Sequence, residues 1–359
     1  MAIKKNTIFI AVLVVIVISS LIGILYITQP PTPTIQKLTA LVWEDYTVPE
    51  VMNPFREKYP NIIVENSIFA NQPEMLAKLV GGFKADVVTP CIDFLPRLID
   101  QGLLQPIDYN KLDNWKNLFQ SLRQYPEIWR GDKLYMVPES FGVEAGITYR
   151  TDKVDPIKSW KDIFDPKYAK RVIITNDPRL GIVIGAWALG YTDVWNLKSE
   201  DLQRIKQFYL ENKASILKFY TSDIEARGLL ASGDAWILAG SGPAQAYWLR
   251  SQGIDAKFVL PDGIGIGWLC GISILKGTQQ IEAVHKYIDY LISEAPQYYF
   301  ATEWLYGPTN QEVFKRLPPE KIEESGMIGP EVLSRLVPLT DPENLDEWLK
   351  VWEEIRSSI

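Results

Sequence analysis

The chain has 359 residues, 47% of them hydrophobic and 23% charged, with 44 acidic residues against 37 basic ones and a net charge of −7. That length suits two α/β units better than one, and the acidic balance excludes a general nucleic-acid binder, which needs a basic face. Cys91 and Cys270 lie far apart in no metal-ligand spacing, so neither a disulfide framework nor a zinc site is expected, and His285 is the only histidine.

Lys4 and Lys5 precede an uncharged run from Ile8 to Ile27. About 20 apolar residues cross a bilayer as a helix, whereas a secretory core is nearer ~7–15, and no small-residue cleavage site follows. Residues 1–28 are therefore expected to anchor the chain, with a long signal peptide as the alternative. The positive-inside rule leaves the lysines in the cytoplasm and the body outside. The proline-rich segment Gln29–Thr34 is stiff and extended, so residues 29–37 are assigned to a stalk.

From Leu38 the body alternates strand-like and helix-like segments. Leu38–Trp43 is a predicted strand, followed by a helix over Val48–Tyr59 with Thr47 as its cap and Pro49 in its first turn. Ile62–Ile68 is a strand, Pro73–Val80 a helix, Asp86–Thr89 a short buried strand and Phe94–Gln101 a helix stopped by Gly102. Val172–Thr175 and Ala235–Ala239 are strands, leading to helices at Gly181–Leu189 and after the GSGP turn Gly240–Pro243. Ser241 or Gly242 is placed to cap the second of these helices. Its free N–H groups favour an anion, though an ordinary cap is the simpler reading. Gly263, Gly265 and Gly267 alternate with isoleucines, leaving one side of a strand bare for close approach; the spacing is wrong for a nucleotide fingerprint. Ile281–Ile292 and Pro342–Ile359 are amphipathic helices, the latter presenting Trp348, Val351, Trp352 and Ile355 on one face.

Strands separated by helix-length segments indicate βαβ units, in which ligands sit beyond the carboxyl ends of the strands. The stretch LVWEDYTVP puts Trp43, Glu44, Asp45 and Tyr46 at such an end. Phe141, Trp268, Trp304 and Tyr306 also fall where strands end or loops begin. Rings there box a cation for about 0.5–2 kcal/mol each. Catalysis is less well supported. His285 lies in mid-helix and is read as solvated or half-buried, G-x-S-x-G is absent, and no metal-ligand cluster is visible.

With these residues in hand, the chain resembles the extracytoplasmic solute-binding proteins of ABC importers, most of all the spermidine/putrescine-binding branch. The likeness runs through VWEDYTVPEVMNPF, ADVVTPCIDFLPRLIDQGLLQPID, YMVPESFGVEAGITYRTDKV, SWKDIFDPKYAKRVIITNDPR, GWLCGISILKG and LYGPTN, in matching order. It implies an α/β, two-lobed type II periplasmic-binding-protein fold with a hinge, here preceded by one N-terminal transmembrane helix. Lobe one would comprise residues 38–139 and 268–310, and lobe two residues 146–267 with C-terminal helices over 316–359. The implied function is capture of a small solute in the interlobe cleft and delivery to a membrane permease driven by a cytoplasmic ATPase. No catalytic role, cofactor, metal or nucleic acid is implied.

By the same resemblance, Trp43, Asp45, Tyr46, Asp177, Trp268 and Tyr306 are ligand-binding residues, with Asp177 holding an ammonium group. Cys91 and Asp93 stand where the family has serine and tyrosine. Cys270 and Leu180 stand where it has acids, and Leu238 where it has a pocket tryptophan. A buried dication needs carboxylates at both ends, so the lost acids leave Asp93, Glu139 or Glu144 as replacements. A polyamine or related organic cation is the favoured solute, an aminophosphonate or thiamine-like compound an alternative. A sensory ectodomain and a surface hydrolase are the rivals from other classes.

Overall fold

The computed structural model describes residues 35–324, 332–333 and 336–359. The expected anchor, and most of the expected stalk, lie outside them. Among the described residues no helix is long and apolar enough to cross a membrane. Gln36 and Lys37, assigned to the stalk from sequence, already belong to the first strand and pair with Ile62 and Ile63.

The main strands are β1 (Gln36–Val42), β2 (Ile62–Ile68), β3 (Val87–Val88), β4 (Val137–Arg150), β5 (Val172–Thr175), β6 (Ile216–Tyr220), β7 (Ile237–Ser241) and β8 (Gly265–Leu275). They order as β2-β1-β3-β8-β4-β7-β5-β6. β1, β2 and β3 run parallel to their neighbours at one end, as do β5, β6 and β7 at the other. Between them stand the two long strands β4 and β8, antiparallel to each other along Val137–Ala145 and Ile266–Ile272. The chain thus crosses from one parallel unit to the other on β4 and returns on β8.

Each unit has its own core. One cluster gathers Leu38, Met52, Phe55, Val88 and Tyr287 and runs along the crossover strands to Val143 and Leu269. The other begins at Ala145 and Ile266 and gathers Trp160, Ile184, Tyr209 and Trp348. The boundary falls on the crossover strands. The C-terminal portion divides between them: Leu336 packs in the first cluster, and Trp348, Val351, Trp352 and Ile355 in the second. We refer to the units as lobes one and two.

The helices follow local sequence. α1 (Pro49–Lys58) starts on proline and buries Val51, Met52 and Phe55. Thr47 does not cap it: its hydroxyl donates to the Glu44 carbonyl at 2.7 Å, closing a 3₁₀ turn. α2 (Gln72–Val80) is capped by Asn71, whose side chain accepts from Glu74 N. α3 (Leu95–Asp100) follows β3. α4 (Pro178–Ala188) is capped by Asp177, which accepts from Arg179 N and Leu180 N, and every residue from Leu180 onward is buried. α5 (Asp223–Ser232) follows β6, and α6 (Ala244–Ser251) follows β7. Neither Ser241 nor Gly242 caps α6. Ser241 ends the strand and Pro243 occupies the cap position, because the strand runs two residues further than its apolar pattern indicates.

Two further sequence readings change. The bare side of Gly265 and Gly267 is covered by Leu336–Pro338, which pairs in parallel with Gly265–Gly267; a Cβ on Gly267 would meet Leu336 at 2.8 Å. His285 is buried rather than solvated, because its helix packs against the loop at Asp108. Its Nε2 accepts from Asp108 N, which leaves the Nδ1 proton to donate to the Ile281 carbonyl at 2.7 Å.

Candidate functional site

The carboxyl ends of β1, β3, β5, β6 and β7 open onto one cavity of about 1180 Å³ between the lobes. Of the nine residues selected from sequence, all nine border it: Trp43, Asp45, Tyr46, Cys91, Asp93, Asp177, Trp268, Cys270 and Tyr306. Leu180 borders it too, whereas Leu238 is buried in the core of lobe two, away from the cavity. Of the other rings placed at strand ends, Trp304 reaches the rim and Phe141 is fully buried in the lobe-one core.

Lobe one supplies an aromatic wall. Trp268 and Tyr306 meet edge to face at 5.0 Å, Trp304 lies 6.2 Å from Tyr306, and Trp43 packs on Phe69 at 4.5 Å. Trp268 lies flat over the other crossover strand because Gly142 faces it. A Cβ there would sit 2.4 Å from the indole. Burial raises the Asp45 carboxyl to about 6, with the neighbouring Tyr306 hydroxyl opposing the shift. Tyr46 is committed elsewhere: its hydroxyl donates to Glu139, which also accepts from Gln297 Nε2 at 3.0 Å. Glu139 lies beneath the wall, not on it, and desolvation raises its carboxyl to about 8. It is thus excluded as one of the replacement acids, since the alternation of β4 points it into lobe one.

Cys91 and Cys270 form a disulfide, contrary to the expectation from their separation of 179 residues. The crossover return explains it. β8 brings Cys270 into bridge register with Cys91, flanked by hydrogen bonds from Ile92 N to the Leu269 carbonyl and from Gly271 N to the Pro90 carbonyl. The bond fixes the turn carrying Asp93 against the strand carrying Trp268.

Lobe two supplies a charged wall. Asp177 is half-buried; its Oδ1 takes the two α4 N–H groups, and its Oδ2 lies 3.5 Å from Arg179. Arg179 also pairs with Asp341 at 3.0 Å, and Asp341 reaches Arg97 of lobe one at 2.5 Å. This chain of charges spans the cleft. Asp93 faces it and is raised to about 6 by desolvation, with Arg179 opposing the shift. Glu144, the one exposed residue of β4, opens onto the cavity between the lobes; its enclosure between the two walls and the neighbouring carboxylates of Asp177 and Asp223 raise it to about 7. Asp223, Asp341, Arg97 and Arg179 escaped the sequence reading. They come from four separate segments with no shared motif, and only an acid or base just past a strand end could have flagged Asp223 and Arg179.

Several polar atoms of the cavity walls have no partner among the described residues: Trp43 Nε1, both amide atoms of Gln72, Asn176 Oδ1 and Ser241 Oγ. A buried polar atom left unmatched costs about 1–3 kcal/mol, so this site is built for a polar guest or water. No group of three or more His, Cys, Asp or Glu side chains suited to a metal occurs among the described residues.

Comparison with known proteins agrees with this geometry. Residues 50–326 match the family model for bacterial extracellular solute-binding proteins. The chain belongs to that family. Among its relatives, the spermidine/putrescine-binding periplasmic protein of Salmonella typhimurium is 27% identical over 297 residues, spanning 79% of this chain and 81% of that one. The putrescine-binding periplasmic protein SpuD of Pseudomonas aeruginosa is 26% identical over 271 residues, 70% of this chain and 72% of its own. In three dimensions, the spermidine/putrescine transporter substrate-binding protein PotD of Streptococcus pneumoniae superposes with a TM-score of 0.78 at 20% identity, covering 90% of this chain and 99% of that one. The TpPotD lipoprotein of Treponema pallidum gives 0.74 at 22%, covering 90% and 100%. The periplasmic-binding-protein fold and a solute-binding role follow.

Proposed function

We propose that this solute-binding protein captures an organic cation of the polyamine class in its interlobe cavity and hands it to an ABC permease. Residues 1–28 would hold it at the outer face of the membrane. The observation that carries the reading is the charge of the cavity wall. Glu44, Asp45, Asp93, Glu144, Asp177, Asp223 and Asp341 oppose Arg97 and Arg179, seven carboxylates against two guanidiniums. Such a wall attracts cations and repels anions, and the rings of Trp43, Trp268 and Tyr306 give an alkylammonium chain a surface on which to lie. The names of the relatives support the same class. Ligand touching both lobes would favour the closed arrangement already bridged by Arg97, Asp341 and Arg179.

Native mass spectrometry of the freshly purified chain tests the reading. A retained small molecule that is basic and of polyamine mass supports it. A retained acid or sugar, released intact, would replace the proposed solute.

A further inference from the structure

We infer that Glu144, Asp223 and the Ser241 hydroxyl form a second ammonium subsite on the lobe-two wall, distinct from Asp177. The inference rests on the reading of the cavity as a cation site and says where the second charge of the guest is held.

Asp177 is poorly placed for that role. Both its oxygens are engaged, Oδ1 by the first N–H groups of α4 and Oδ2 by Arg179. Arg179 in turn is shared with Asp341. The guanidinium of this wall is therefore already matched. Glu144 and Asp223 are not: both are exposed to the cavity they border, and neither side chain takes a hydrogen bond or an ion pair from any described residue. They lie close enough for the charge of Asp223 to act on Glu144, and for both to act on the Tyr220 hydroxyl at the end of β6.

An independent feature points to a guest at the same place. Ser241 is only 5% exposed, borders the cavity, and has no partner for its Oγ. The antiparallel register sets Ser241 opposite Gly146, two residues along β4 from Glu144. The following Gly242 lies so close to that strand that a Cβ would meet the Val143 carbonyl at 2.8 Å. The hydroxyl and the two carboxylates thus border one cavity from β7, β4 and the start of α5.

The chemistry selects the occupant. A neutral donor satisfies hydrogen bonds but leaves two carboxylates repelling each other. A primary ammonium carries one positive charge and three N–H donors, which match two carboxylates and one hydroxyl oxygen. The guest would then be at least a diamine, one end at Asp45 among the rings and the other here.

Calorimetry with putrescine and n-butylamine on the full chain tests this. E144Q and D223N are each expected to weaken putrescine by about ten- to hundred-fold and to lower the putrescine-to-butylamine affinity ratio, with S241A weakening putrescine by about threefold. Melting curves check the fold of each variant, and E144Q, which removes an unmatched charge, should melt no lower than the parent. Putrescine affinity within twofold of the parent in both E144Q and D223N, or equal losses for the two amines, overturns the subsite. A parent protein that binds neither amine overturns the cation reading itself, an outcome distinct from a parent that binds putrescine with E144Q unaffected.

Discussion

The two walls of the cleft are built in opposite ways. The lobe-one wall is made of rings that lean on one another, Trp268 on Tyr306 and Trp43 on Phe69, and its turn is fixed covalently by Cys91–Cys270. The lobe-two wall is made of carboxylates, one arginine and hydrogen-bonding atoms without partners, anchored on strand ends and helix starts. The first wall is dominated by packed rings, with Trp43 Nε1 and the Gln72 amide left without partners, and selects by surface. The second holds unmatched charge and selects by what neutralises it. A protein divided in this way is expected to respond differently when each wall is altered.

The largest effect is expected from the covalent element. Replacing both cysteines by serine should lower unfolding stability by about 2–4 kcal/mol, measured by denaturant titration, because the bond closes a very long loop. Loss of stability with solute affinity held would show that the disulfide serves lobe one's fold alone. Loss of both would show that it also positions Asp93 and Trp268. Next, Asp45→Asn should weaken a bound amine by about 1.5–3 kcal/mol in calorimetry, since it removes the carboxylate of the aromatic wall while leaving its shape. An unchanged affinity would mean that the aromatic wall acts without its acid. Trp268→Leu should cost less, about 0.5–2 kcal/mol, the range of one cation–π contact.

Protons sharpen the contrast further. Asp45 and Asp93 are raised to about 6 and Glu144 to about 7, so the empty cleft holds protons there that a bound cation would expel. Expelling them becomes harder as pH falls, so amine affinity should drop by at least about tenfold from pH 8 to pH 5. Stability of the empty protein should run the other way. With Glu139 at about 8 as well, the folded state retains protons that the unfolded chain has released, so stability falls as pH rises from about 4.5 through about 8. The smallest effect is expected from Asp341→Asn, which unlinks Arg97 from Arg179 at a half-exposed position and should change affinity by no more than about threefold.

The same division explains what was legible in the sequence. β2 and β5 were readable to the residue, because apolar strands bounded by turn residues announce themselves locally. The aromatic wall was readable too: its rings crowd strand ends in short, continuous stretches such as LVWEDY. The lobe-two wall was largely hidden. Asp223 and Arg179 stand on separate segments of lobe two and Asp341 joins Arg179 only after the chain has returned through lobe one, and a lone acid after a strand looks like any solvated acid. The Cys91–Cys270 pair was hidden for the same reason, since only the return strand β8 brings it into register. Glu139 shows the converse failure. It stands near the right strand end, but strand alternation turns it into the core, where Tyr46 and Gln297 hold it.

The account turns on one premise, that the negative hollow between the lobes admits a positively charged chain and refuses its uncharged or acidic counterparts. Calorimetry comparing putrescine with butanediol and succinate, matched in carbon number, measures that discrimination directly. The account predicts saturable uptake of one putrescine per chain and no measurable heat from the other two. Tight binding of succinate or butanediol, with putrescine inert, would contradict it.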